Sequence, residues 1–139
     1  METLKRKIQT FEAALATLEK AVSKHKASLS YDEERFEEYR DSLIQRFEYC
    51  TDLLWKVVKD YLEKVEGIHV ASPKPVFRAC YTATILSEEE VEAFLLMLDA
   101  RNTTSHVYRE EFASILYKEI PEYYQKMYLL INKLIQRLK

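Results

Sequence analysis

The scarcity of helix-breaking residues constrains this chain more than any other feature. Its 139 residues include one glycine and three prolines, the residues that most often form tight turns. Few turns favour a small number of long secondary structure elements. Hydrophobic residues make up 47% of the chain and charged residues 32%, which excludes both a disordered chain and a membrane protein. A chain of this length buries about two-thirds of its unfolded surface, so the sequence predicts a single domain over residues 1–139.

Apolar residues recur at spacings of three or four along three long stretches of the chain. This period is typical of amphipathic helices that pack against neighbouring helices. The first stripe contains Leu4, Ile8, Phe11, Leu15, Leu18 and Val22. The second extends from Phe36 to Val65, and the last from Tyr124 to Leu138. Each stripe predicts a helix with one apolar face.

Capping residues and a glycine predict the bounds of the second helix. Ser30 and Glu33 have the spacing of a capping box, in which each side chain bonds to the backbone N–H of the other residue. Gly67 suits the left-handed position that ends many helices. A straight helix between these residues is about 54 Å long, at about 1.5 Å per residue.

Two further signals predict helix starts in the second half of the chain. Ser72–Pro73 predicts a short third helix that runs to about Thr84, because proline is favoured in a first helical turn. Ser87 and Glu90 form another capping box, which predicts a fourth helix that runs into a polar segment.

The remaining connections complete the predicted fold. A further short helix is expected after Tyr108, and Pro121 marks the point where the last helix begins or kinks. Short connections between long amphipathic helices favour antiparallel neighbours. The fold class is therefore predicted to be all-α, an antiparallel up-and-down four-helix bundle with one or two short extra helices.

The cysteines and two of the three histidines carry no predicted chemistry. Cys50 and Cys80 are isolated and lack the spacing of a metal or redox motif, so both are predicted to be small buried apolar residues. His25, between two lysines, and His69 are predicted to be solvated. We expect no metal and no cofactor. Met1–Arg6 leads into a charged helix rather than a signal sequence, and we expect a cytoplasmic protein without a membrane segment.

The stretch Leu98–Tyr108 concentrates polar side chains in a chain built mostly of helix-forming residues. It contains Arg101, then His106 after four intervening residues, then Tyr108, which together form an Arg-x4-His-x-Tyr string. Arginine is a permanent cation whose planar fork of donors suits phosphate, and histidine titrates near neutral pH. This combination points to phosphodiester chemistry.

The spacing limits how Arg101 and His106 can act together. Five residues of straight α-helix advance about 500°, which leaves the two positions about 140° apart. They can meet on one small ligand only if the helix bends or a second chain contributes. Thr103–Ser105 are weak helix formers and favour a break or a distorted turn. The alternative is a structural role, with an arginine ending one helix, a polar connector, and a histidine capping the next.

The residues around this motif are similar to a known family. They resemble the HEPN family and, within it, the nucleotidyltransferase substrate-binding branch that is related to the HepT toxins. The resemblance is carried by Phe94–Tyr108, Tyr123–Tyr124, Ser72–Lys74 and Arg78. It covers the chain from about Phe47 to the C-terminus. Phe94 stands where relatives often have tryptophan, and we expect that difference to affect packing only.

The resemblance implies a role for each motif residue. HEPN proteins are typically helical homodimers in which the motifs of two chains face each other across a cleft, so that two arginines and two histidines converge on one phosphate. Cleavage there is independent of metal, because the ribose 2′-hydroxyl attacks its own phosphodiester. By motif position, His106 would move the proton, Arg101 would stabilise charge on the phosphate, and Asn102 would orient the substrate. Tyr108 matches the residue that, in HepT-like proteins, accepts AMP from a minimal nucleotidyltransferase encoded nearby.

The overall charge does not favour strong RNA binding. The formal net charge is −2, whereas an RNA-binding protein usually carries a basic excess. A local patch would have to supply the affinity. Its candidate contacts to RNA or a nucleotide are Lys56, Lys59, Lys64, Lys74 and Arg78. The alternative is an ordinary solvated face.

Two functions are therefore compatible with the sequence. The first is a toxin-type, metal-independent ribonuclease that its nucleotidyltransferase partner inhibits by transferring AMP to Tyr108. The second is a non-catalytic subunit that presents a nucleotide or another substrate to that nucleotidyltransferase. The presence of Arg101, His106 and Tyr108 together favours the first function. The low net charge and the resemblance to the substrate-binding branch favour the second.

Overall fold

The computed structural model of the protein describes residues 1–27, 30, 32–106 and 110–139. The α-helices are α1 (Glu2–Ala27), α2 (Glu33–Tyr61), α3 (Pro73–Thr82), α4 (Glu88–His106) and α5 (Glu110–Arg137). A π-helical turn at Leu62–Glu66 continues α2. No strand occurs within these described ranges, which confirms the prediction of an all-α chain.

Helices α1 and α2 are antiparallel neighbours. Near the start of α1, Lys7 Nζ lies 3.8 Å from Asp60 Oδ1 at the end of α2. At the other end of the pair, the ring of His25 lies 5.0 Å from that of Phe36. Opposite termini of the two helices therefore lie side by side.

Helix α5 is also antiparallel to α1. The hydroxyl of Tyr124 donates a hydrogen bond of 2.7 Å to Glu19 Oε2, and the ring of Tyr117 lies 4.8 Å from that of His25. Residue numbers thus rise along one helix as they fall along the other. Helix α1 therefore packs against both α2 and α5.

The short helix α3 packs against α4. The rings of Phe77 and Phe94 stack with their centroids 4.8 Å apart, and Lys74 Nζ lies 2.7 Å from Asp99 Oδ1. Phe94 is almost completely buried, so its ring has a packing role.

The predicted apolar stripes line a common core. In α1, the residues Leu4, Ile8, Phe11, Leu15 and Leu18 are buried, and Val22 is half-buried. Helix α5 contributes Tyr124, Met127, Ile131 and Leu134. Val65, the last residue of the predicted second stripe, is exposed because it lies in the π-helical turn, where the helical register changes.

The second helix begins at a different cap from the one predicted. The carboxylate of Asp32 accepts a hydrogen bond of 2.9 Å from the backbone N–H of Arg35, while the hydroxyl of Ser30 donates to the carbonyl of Ala27. The prediction of a Ser30 capping box is therefore wrong. A carboxylate two residues later caps the helix instead, because its charge also interacts favourably with the helix dipole.

Other predicted bounds are confirmed. Gly67 has a φ of 69° and caps the π-helical turn, with its N–H donating to the carbonyl of Leu62. Ser87 and Glu90 form the predicted capping box, with reciprocal bonds of 2.9 and 3.1 Å. The backbone N–H of Ser87 holds the pKa of Glu90 below its ordinary value.

The last helix differs from the prediction. No separate short helix precedes it within the described residues, since α5 runs from Glu110 to Arg137 and contains Pro121 in its interior. Proline removes one helical hydrogen bond. The buried residues Ile120 and Tyr124 on either side continue the apolar face, and their burial stabilises the helix across this position.

His25 is buried rather than solvated, which corrects the prediction. Only 5% of the residue is exposed, and its ring packs against the rings of both Phe36 and Tyr117. Burial, and the nearby charge of Arg40, lower its pKa. His69 is exposed, as predicted.

The two cysteines are buried, as predicted, and burial raises the pKa of both Cys50 and Cys80 to about 12.

None of the described helices combines the length and the apolar character that crossing a membrane requires. In the described part of the chain, no three His, Cys, Asp or Glu side chains are grouped so that they could hold a metal ion.

Candidate functional site

Arg101 lies in the last turns of α4 and reaches the middle of α2. Its Nε and Nη2 atoms donate to the two carboxylate oxygens of Asp52, each at 2.9 Å, and its Nη1 atom donates to Glu48 Oε2 at 2.7 Å. The side chain of Arg101 is 19% exposed. These three residues form a charged cluster, here called the Arg101 cluster, that joins α4 to α2.

The electrostatics of the Arg101 cluster differ from those of an open phosphate site. Hydrogen bonds from Arg101 to Asp52 raise the pKa of Arg101 above its ordinary value, so the guanidinium stays charged. Two carboxylates face one positive charge, and they accept hydrogen bonds from three of the five N–H donors of the guanidinium. A phosphate that binds Arg101 must therefore compete with Glu48 and Asp52.

The sequence predicts Arg101 as a site residue but does not indicate its two partners. Glu48 and Asp52 lie four residues apart, on one face of α2. Like charges at this spacing destabilise an isolated helix by a few tenths of a kcal/mol, so the pair signals a cation supplied by another element. Nothing in the sequence indicates directly that the cation is Arg101, which is 49 residues from Asp52.

Helix α4 is unbroken from Arg101 to His106. Helix α4 continues to His106, and the hydroxyl of Thr103 donates a hydrogen bond of 3.0 Å to the carbonyl of Asp99, which satisfies it within the helix. The prediction of a break at Thr103–Ser105 is therefore wrong. Positions 101 and 106 lie about 140° apart around one continuous helix.

The structure describes the other motif residues to different extents. Asn102 is exposed on α4, beside Arg101. The backbone of His106 ends α4, but its side chain lies outside the described residues. Tyr108, the predicted AMP acceptor, also lies outside the described residues.

A second ion pair holds the chain just after the motif. Arg40 of α2, with a side chain only 4% exposed, donates from Nη1 to Glu110 Oε1 and from Nη2 to Glu110 Oε2, the latter at 3.0 Å. These bonds lower the pKa of Glu110. Sequence reasoning missed this pair as well. Helix α2 thus holds residues on both sides of positions 102–109, by Arg101 on one side and by Glu110 on the other.

The predicted basic contacts are distributed over two surfaces. Lys56 and Lys59 line a cavity of about 250 Å³ next to α1. Lys74 is ion-paired with Asp99 of α4, and Arg78 is exposed on α3. Lys56 and Lys59 therefore share a surface with α1, whereas Lys74 belongs to the contact between α3 and α4.

Comparisons with known proteins agree with this fold. The model of a family described as nucleotidyltransferase substrate binding protein like matches residues 6–136. A crystal structure of a protein from Thermus thermophilus is similar, with a TM-score of 0.74 and 34% sequence identity over 93% of this chain and 98% of that chain. No curated protein matches the sequence.

Removing Arg101 is expected to destabilise the fold. Arg101→Ala leaves two carboxylates facing each other and should lower the free energy of unfolding by about 2 kcal/mol, a value reduced for the partial exposure of the cluster. Arg101→Lys keeps the charge but loses the planar fork, and should cost about 1 kcal/mol. Urea denaturation measures both. Arg78→Ala, at an exposed arginine, should change stability by less than about 0.5 kcal/mol. Equal effects of Arg101→Ala and Arg78→Ala would contradict this role.

Proposed function

The chain belongs to the nucleotidyltransferase substrate binding protein like family, and from this premise we propose that it is the helical partner of a minimal nucleotidyltransferase encoded nearby and that it cleaves RNA without a metal ion. The observation that carries the proposal is the position of Arg101, a permanently charged guanidinium on the same continuous helix as His106. The resemblance of the Arg-x4-His-x-Tyr string to that of HEPN nucleases supports the assignment.

The proposed reaction uses side chains alone. The ribose 2′-hydroxyl loses its proton to His106 while its oxygen attacks the adjacent phosphorus. The bond to the 5′-oxygen of the next nucleotide breaks, and that oxygen takes up the proton that His106 removed. Arg101 stabilises the charge that develops on the phosphate oxygens, and Asn102 orients the substrate. The products are a 2′,3′-cyclic phosphate and a 5′-hydroxyl.

Substrate binding would remodel the Arg101 cluster. Asp52 holds the guanidinium through two parallel bonds, whereas Glu48 accepts only one in the described contacts. The single bond to Glu48 is the easier one for a phosphate to replace. Asp52 would then keep the guanidinium oriented while the phosphate binds at Nη1.

A homodimer would complete the site. Because α4 is unbroken from Arg101 to His106, positions 101 and 106 of one chain cannot converge on a single phosphate. We propose that α1, α2, α4 and α5 form an up-and-down four-helix bundle, and that two such bundles place Arg101 of one chain opposite His106 of the other. We further propose that the dimer works in the cytoplasm.

A second function remains a candidate because of the charges around Arg101. Two carboxylates oppose the guanidinium, and the whole chain has a net charge of −2. Both features reduce the attraction for a long polyanion. They favour a non-catalytic subunit that binds a single nucleotide or another substrate for the nucleotidyltransferase.

Cleavage assays separate these two functions. The wild-type protein should cleave single-stranded RNA in the presence of EDTA, because the proposed reaction uses no metal. Arg101→Lys and His106→Ala should each lower the rate by about 100-fold or more, while circular dichroism shows retained helix. Lys118→Ala, at an exposed lysine of α5, serves as the control and should cleave normally. Cleavage that requires a divalent metal would refute the mechanism, and no cleavage would favour the non-catalytic subunit.

The proposed inhibition is tested through Tyr108. Its hydroxyl would attack the α-phosphate of ATP in the partner's active site and release pyrophosphate, which adds a negative phosphodiester seven residues after Arg101 and would block substrate binding. Incubation with the nucleotidyltransferase and ATP should add AMP mass that peptide mapping locates at Tyr108. Tyr108→Phe should abolish the addition, and Tyr81→Phe, at an exposed tyrosine of α3, should not. Modification at another residue would show that the assignment of Tyr108 is wrong.

A further inference from the structure

A long groove between α1 and α2 is lined by basic side chains. One part is a cavity of about 420 Å³ whose lining includes Lys20 and Lys24 of α1 and Arg46 of α2. Another part is a cavity of about 270 Å³ whose lining includes Arg6 of α1 and Lys56 of α2. None of these five residues belongs to the Arg101 cluster.

The helical register places the two cavities in line on one side of the α1–α2 pair, and together they are here called the groove. Thr10 and Thr17 line different cavities and are seven residues apart on α1, and the same is true of Arg46 and Leu53 on α2. Seven residues are two helical turns and return to almost the same face of a helix. Tyr49 lies between Arg46 and Leu53 on that face, and 49% of it is exposed.

The charge of this groove is opposite to that of the chain. Its two cavities are lined by six basic residues and by one acidic residue, Glu38. Among the described residues, only Lys7 of these six has an ion pair, at 3.8 Å from Asp60. The remaining cations are therefore available to an anionic ligand, although the whole chain carries a net charge of −2.

The length and composition of the groove suit one class of ligand. From Arg6 to Lys24, α1 extends about 27 Å, which is long enough for several consecutive phosphates of one strand. A row of cations beside an exposed aromatic side chain is the usual arrangement for binding single-stranded nucleic acid. We propose that this groove binds a single strand of RNA through its phosphates, with a base stacked on Tyr49.

The groove is close to the Arg101 cluster. Tyr49 and Leu53 each follow a carboxylate of that cluster by one residue, so they lie about 100° around α2 from Glu48 and Asp52. A strand in the groove therefore passes on the adjoining side of α2 from Arg101. This inference rests on the proposed function for the choice of RNA as the polyanion, but binding in the groove does not require cleavage.

Fluorescence anisotropy with a labelled single-stranded RNA of about twelve nucleotides tests the groove. The RNA carries 2′-O-methyl groups, which prevent cleavage and leave the phosphates unchanged. The variant Lys20→Glu/Arg46→Glu/Lys56→Glu should bind at least about tenfold more weakly than wild type. The slope of the logarithm of its affinity against the logarithm of salt concentration should be smaller in magnitude by about 2. The control variant Lys26→Glu/Lys118→Glu/Lys139→Glu has the same net charge change outside the groove and should bind more tightly than the groove variant. Tyr49→Ala should weaken binding several-fold without altering the salt dependence.

The outcomes separate this inference from the proposed function. Equal binding by the groove variant and its control would contradict RNA binding in the groove. Absence of binding by the wild-type protein at low salt would contradict it as well. Equal affinity for polyglutamate or for double-stranded RNA would overturn the assignment to single-stranded RNA. Groove-dependent binding of the 2′-O-methyl RNA, without cleavage of ordinary RNA, would support the groove while the proposed nuclease activity fails. Cleavage that the groove variant retains in full would support the nuclease and overturn the groove.

Discussion

The charge pairing between α4 and α2 determines how this protein can use its motif. Arg101 bridges two carboxylates that repel each other on α2, and Glu48 and Asp52 hold the guanidinium in one orientation. The same contact fixes the end of α4 against the middle of α2. A residue expected to bind phosphate thus also has a structural role, and any substrate must exchange with the groups that hold it.

The continuity of α4 imposes the second constraint. A helix that runs unbroken to His106 separates positions 101 and 106 by about 140°, however tightly α2 holds Arg101. Catalysis within one chain would require that helix to unwind. A second chain removes this requirement, which is why the proposed nuclease depends on a homodimer.

Patterns among residues close in sequence predict the helices well. They do not predict which residues far apart in sequence contact each other. The Ser87 and Glu90 capping box involves residues three apart, so the sequence predicted it correctly. The partners of Arg101 lie about fifty residues away and could not be predicted without the fold. His25 was placed in solvent because lysines flank it, although it lies seven residues after Leu18 and continues the apolar stripe of α1 into the core.

Subunit mixing tests the shared site most directly. Arg101→Lys and His106→Ala dimers, each inactive on RNA, are mixed in equal amounts and allowed to exchange chains. A mixed dimer contains one intact pair, formed by Arg101 of one chain and His106 of the other. Half of the dimers are mixed, and each mixed dimer has one of its two Arg101–His106 pairs intact. The account therefore predicts recovery of about a quarter of the wild-type rate. A mixture that stays as inactive as its two components, beside an active wild-type protein, would contradict the shared site.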